Sequence, residues 1–145
     1  MKARRGFTLV EILIVVVILG ILAAIVIPQF TQASTEAKTN SLMSDLQTLR
    51  SQIELYKVQH NDIAPTQADF EDQMVYCTNI GGTTAATPSK ERDTTNGFIY
   101  GPYLERIPEN PFNGSNTVVA APALTDGWGY TEATGEIWSP TDPNL

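Results

Sequence analysis

The chain has 145 residues, with 9 Lys+Arg against 16 Asp+Glu and a formal net charge of −7. That length holds one modest domain, and an acidic balance offers no basic face to nucleic acid, so no nucleic-acid partner is expected. A single cysteine, Cys77, excludes a disulfide within the chain, and His60 stands alone, with no cluster at metal-ligand spacing around either.

The cations are unevenly placed. Lys2, Arg4 and Arg5 precede an apolar run, and the remainder is mostly acidic. From Ile12 to Ile27 the sequence reads ILIVVVILGILAAIVI, without a charge. Together with Phe7 to Glu11 this gives 21 residues. As a helix they span roughly 30 Å, the thickness of a bilayer core. Ala23 and Ala24 are small, but no A-x-A site follows, which argues against an ordinary secretory signal. Two readings remain: a plain single-pass anchor with its N-terminus held in the cytoplasm by the cations, or an anchor cut before the run. Glu11 separates them. A carboxylate in hydrocarbon costs about 3 kcal/mol and marks a functional position.

Lys2-Ala3-Arg4-Arg5-Gly6 followed by Phe7-Thr8-Leu9-Val10-Glu11 resembles the type III signal of type IV pilins and type II secretion pseudopilins. The resemblance implies cleavage by a membrane-embedded prepilin peptidase between Gly6 and Phe7, and N-methylation of Phe7. It makes Glu11 the assembly glutamate. Cutting would leave a secondary amine on Phe7, cationic near neutral pH. The Glu11 carboxylate is its complement, either from a neighbouring subunit in a filament or, at i and i+4, within one helix.

Pro28 ends the uncharged run. It lacks an N–H and crowds the preceding turn, so a kink or local melting is expected near Gly20 to Pro28. From Gln29 to about Gln59 the sequence has neither proline nor glycine. Leu42, Leu46, Leu49, Ile53 and Tyr56 recur at steps of 4, 3, 4 and 3, one helical stripe suited to packing on a sheet. Phe30, Ala33 and Ala37 extend a seam toward neighbouring subunits.

His60 to Pro65 breaks the helix. Thr66 to Asp72 predicts a short helical turn with Thr66 as cap, and Met74 to Ile80 a strand or continued helix. Gly81 to Asn96 reads as an exposed loop. Gly101 to Gly114, GPYLERIPENPFNG, carries three prolines and the apolar anchors Tyr103, Leu104, Ile107 and Phe112. Strands are predicted at Ser115 to Ala121, Trp128 to Thr131 and Glu136 to Ser139. The last two form a hairpin about Ala133-Thr134-Gly135.

The GPYL segment, the Pro-x-Asn-Pro-x-Asn-Gly run from Pro108 to Gly114 and the hairpin resemble G-type major pseudopilins. Such proteins often hold calcium in a loop beside the sheet. Asp126 and Asp142 are the nearby acids available here, a scattered pair for a cation that takes six or more oxygens. The expectation is therefore no cofactor, with these two as the only calcium candidates. The disulfide-closed loop of many type IVa pilins is missing, which favours a pseudopilin over an adhesion pilin.

The expected fold is α+β and pilin-like: a long N-terminal helix, its second half packed on a small antiparallel sheet. The expected divisions are a leader at 1–6, a transmembrane helix half at 7–28, an amphipathic half at 29–60 and a periplasmic globular domain at 61–145. No catalytic constellation is present, so an enzyme is not expected. The resemblance implies a subunit of a type II secretion pseudopilus whose helical filament drives protein export; a type IV pilus subunit for adhesion, motility or DNA uptake is the alternative. Its implied partners are copies of itself, minor pseudopilins, prepilin peptidase, membrane lipid before assembly, and an inner-membrane platform with its ATPase. The implied location is the bacterial inner membrane, then a periplasmic filament, reaching the cell surface in the pilus case.

Overall fold

A computed structural model describes residues 6–142. Lys2, Arg4, Arg5 and most of the leader lie outside the described residues. The chain divides into two compact units, residues 1–37 and 38–145. Helix α1 (Leu9–Gln59) contributes to both.

In the first unit the helical side chains are exposed along their whole length. Leu9 to Ile27 includes no buried residue, and Ile12, Ile14, Val16, Ile18 and Leu22 each leave about half their surface open. A helix apolar all round and uncovered is built for lipid or for other helices. Its length and composition suffice to cross a bilayer. α1 is helical through Gly20 and contains Pro28 without interruption, so the chain is not melted there. Pro28 has no N–H to give the carbonyl of Ala24, which leaves one missing rung. Thr31 Oγ1 donates to the Ile27 carbonyl at 3.2 Å just beyond it.

The second unit holds the core. The five stripe residues Leu42, Leu46, Leu49, Ile53 and Tyr56 are the buried residues of α1. They form one cluster with Phe70, Met74, Val75, Tyr103, Ile107, Trp128, Tyr130 and Ile137. α1 stops because Asn61 and Asp62 take left-handed backbone (φ 55° and 64°). Asp62 N–H then caps the Lys57 carbonyl at 2.8 Å. The lone His60 closes this end. Its Nδ1 faces the Tyr56 carbonyl and its Nε2 the Thr78 hydroxyl, both at 2.9 Å, and its ring stacks on Tyr56 at 3.8 Å.

The short helix α2 (Phe70–Val75) starts later than the sequence suggests. Thr66 and Asp69 bond each other rather than capping it, with the Asp69 N–H on Thr66 Oγ1 at 3.3 Å. Beyond α2 the chain is extended, and Thr78 bridges to both Thr84 and Tyr100. These bridges tie down the predicted loop from Gly81 to Asn96.

The sheet has three strands in the order β1 (Val118–Val119), β2 (Trp128–Thr131), β3 (Glu136–Trp138). The hairpin β2–β3 is antiparallel, pairing Gly129 with Trp138, Tyr130 with Ile137 and Thr131 with Glu136. Gly135 (φ 75°) makes its turn, donating to the Thr131 carbonyl at 2.8 Å. Gly129 has to be glycine, because a β-carbon there would strike the Trp138 indole.

β1 corrects the expected all-antiparallel sheet. It pairs with β2 in parallel, Val118 with Trp128 and Val119 with Gly129, so the sheet is mixed. A parallel pair normally needs a long crossover. Here the strand is two residues long, and the loop from Ala120 to Gly127 has only that short distance to recross. The rest of the predicted strand is diverted. Ser115 Oγ pairs with Thr117 Oγ1, which accepts the Gly127 N–H, and the Ser115 carbonyl accepts the Asn110 N–H.

Burial holds the phenols of this core in their neutral form. It pushes Tyr56 up to about 12 from 10.0, and it also raises Tyr103 and Tyr130. A raised phenol stabilises the fold fully below the unfolded pKa of 10 and stops doing so as pH climbs through the folded value. Alkaline unfolding is therefore expected between about pH 10 and 12, in step with phenolate absorbance. Full phenolate formation near pH 10 with near-ultraviolet dichroism intact would contradict the burial.

Candidate functional site

The sequence places its site at the start of α1. Gly6 and Phe7 precede the helix in non-helical backbone, and Phe7 is 82% exposed. Nothing lies within 4 Å of where a Gly6 β-carbon would stand. The Gly6–Phe7 bond is thus exposed, in non-helical backbone just ahead of the first turn.

Thr8 and Glu11 close that first turn on each other. The Glu11 N–H donates to Thr8 Oγ1 at 3.2 Å. The Thr8 N–H and hydroxyl both donate to Glu11 Oε2 at 2.8 Å. This is a reciprocal capping box, with Thr8 at the cap and Glu11 three residues on. It satisfies otherwise orphaned helix N–H groups and places a carboxylate at the positive end of the helix dipole. Thr8 is the site residue that reading Glu11 by itself passes over. Its signal was a threonine three residues before an acid at the head of an apolar run. In the uncut chain the Phe7 nitrogen is a peptide amide, and Phe7 lies just ahead of the helix that starts at Leu9.

A second polar centre sits beside the sheet, in the Pro108 to Gly114 run. Asn110 is fully buried. Its Nδ2 donates to the Gly127 carbonyl and Ser139 Oγ, both at 3.0 Å. Its Oδ1 accepts the Phe112 N–H at 3.0 Å. It ties the proline-rich crossing to the start of β2 and to the C-terminal loop. Trp128 Nε1 adds a bond to the Pro108 carbonyl at 2.9 Å. The signature's Asn110 is therefore a structural tie.

The calcium candidates are not brought together with a third acid. Among the described residues no group of three His, Cys, Asp or Glu could hold a metal. The Asp126 carboxylate accepts the Ala123 N–H at 2.8 Å and the Thr117 hydroxyl at 3.4 Å. Asp142 bridges through its backbone to Ser139. Cys77 is buried, donates to the Lys90 carbonyl at 3.5 Å, and has its thiol pKa raised by burial, with Arg92 opposing. Such a thiol is a packing residue.

Comparison with known proteins agrees with the N-terminal geometry. Residues 1–27 match the family model described as "Prokaryotic N-terminal methylation motif". Over 122 residues the chain is 30% identical to the type II secretion system core protein G of Klebsiella pneumoniae, covering 84% of this chain and 78% of the relative. The core protein G of Aeromonas hydrophila is 34% identical over 114 residues, 77% of this chain and 71% of the relative. That of Vibrio cholerae is 30% identical over 112 residues, 77% and 68%. No solved structure matches. With identity of this level running well past the shared N-terminal motif and into the body, the chain belongs to the type II secretion system core protein G family.

Proposed function

We propose that this chain is a structural subunit of a type II secretion pseudopilus, inserted in the inner membrane, cut between Gly6 and Phe7, methylated on Phe7 and polymerised into a helical filament. The observation that carries the reading is the juxtaposition at the head of α1: an open Gly6–Phe7 peptide, a carboxylate on the first turn and an uncovered apolar helix behind it.

The chemistry follows in order. Residues 7–28 sit in the bilayer with the leader in the cytoplasm, as the cations Lys2, Arg4 and Arg5 require. Residues 61–145, together with the amphipathic stretch 29–60, lie in the periplasm. Before cutting, the capping box with Thr8 satisfies the Glu11 carboxylate locally. Hydrolysis of the Gly6–Phe7 peptide gives a carboxylate on Gly6 and an amine on Phe7, which methylation keeps basic. That amine can displace the Thr8 donors from Glu11 of an adjacent subunit. Two opposite charges buried as a pair cost far less than either alone, and a buried pair fixes axial register. Apolar helices packed together at the filament centre replace lipid contacts, so leaving the membrane exposes no apolar surface to water. The missing rung at Pro28, with Gly20 before it, is where α1 bends or unwinds as it packs. The work of extraction comes from an ATPase acting through the assembly platform, and minor pseudopilins start the filament.

Gly6→Ala tests the reading. The variant is expected to stay uncut and to give no filaments, seen as a slower band on a gel and an empty sheared fraction. Normal mobility would remove the cleavage assignment.

A further inference from the structure

We infer that the loop beside the sheet is closed by the Asn113 side-chain amide in place of a cation, so that its order is independent of calcium. The family likeness brings an expectation of calcium in such a loop, and the residues here do not fit it. Asn113 reaches across from the proline-rich crossing. Its Nδ2 donates to the Leu124 carbonyl at 2.8 Å and to the Asp126 carbonyl at 2.7 Å. Its Oδ1 accepts the Ser115 N–H at 2.9 Å. Both amide hydrogens and the amide oxygen are therefore used. The two loop carbonyls they hold are thereby engaged and not free to act as metal ligands.

Asp126, the nearest acid, is turned the same way. One oxygen takes the Ala123 N–H at 2.8 Å and the other the Thr117 hydroxyl at 3.4 Å. Thr117 Oγ1 in turn accepts the Gly127 N–H at 3.1 Å. Calcium demands six to eight oxygens at about 2.3–2.6 Å. A cation recruiting the Leu124 and Asp126 carbonyls would have to expel the Asn113 amide hydrogens that now hold them. The neutral amide does the ion's structural work: it bridges Leu124 and Asp126, and through Ser115 it links them to the strand that pairs with β2.

The test is amide hydrogen exchange and thermal melting on the full chain in detergent micelles, with millimolar calcium or with a chelator. The wild-type midpoint, and the protection of the Ala123, Asp126 and Gly127 amides, are expected to be the same in both. Asn113→Ala is expected to exchange those amides about tenfold faster, equally with and without calcium. A wild-type midpoint or protection that rises saturably with calcium would overturn the inference, as would an Asn113→Ala loop as protected as wild type. The wild-type arms decide the matter if the variant fails to fold. Neither readout depends on filament formation, so failure here leaves the pseudopilus reading intact.

Discussion

Leu49→Asp is expected to abolish the cooperative unfolding transition of residues 38–145. Leu49 is fully buried in the middle of the α1 stripe, within the cluster that holds Trp128, Tyr130 and Ile137. The substitution removes about 2 kcal/mol of apolar burial. It also brings a carboxylate into a core where no buried side-chain polar atom is left unsatisfied among the described residues, and an unpaired buried charge costs several kcal/mol more. Domains of this size have roughly 5–15 kcal/mol in total. Near-ultraviolet dichroism of the full chain in detergent should lose its melting transition, while far-ultraviolet dichroism keeps the signal of the apolar helix. An unchanged melting curve would mean that the stripe does not carry the core.

Glu11→Val should separate insertion from assembly. Valine relieves a cost of about 3 kcal/mol in hydrocarbon, so the variant should insert and be cut normally. It forfeits about 1 kcal/mol of capping at Thr8 and leaves the Phe7 amine of the next subunit without a partner. Losing one half of a buried pair costs about 3–5 kcal/mol at every subunit contact, so filaments should become scarce in the sheared fraction. Glu11→Gln discriminates between the two roles. Glutamine can still accept from the Thr8 N–H and hold the box, yet it carries no charge. It is expected to fail at assembly as valine does. Wild-type filament yield from glutamine would make the capping box, rather than the charge, the contribution of Glu11.

The stripe and the end of α1 were legible because both depend on local rules. The period of Leu42, Leu46, Leu49, Ile53 and Tyr56 names the buried face, and the turn residues from His60 to Pro65 name the stop. The hairpin was legible for the same reason, through its alternation and Gly135. The direction of β1 was not. Parallel pairing of Val118 with Trp128 is decided by how the loop from Ala120 to Gly127 is held, by Asp126 within it and by Asn113 from outside it. The burial of Asn110 likewise depends on Gly127 and Ser139 meeting around it. At the site, Gly6, Phe7 and Glu11 stand out by residue type and spacing. Thr8 was within reach of the same reading, as the other half of a capping box, and its role emerges from the reciprocal bonds it makes.

The central claim is that the charge opposite Glu11 is created by processing. Mass spectrometry of the N-terminal peptide, taken from membranes of cells that carry a prepilin peptidase, tests it most directly. The account predicts a chain that begins at Phe7 and bears one added methyl group on its amine. A chain that retains residues 1–6, or that begins at any other residue, would contradict it.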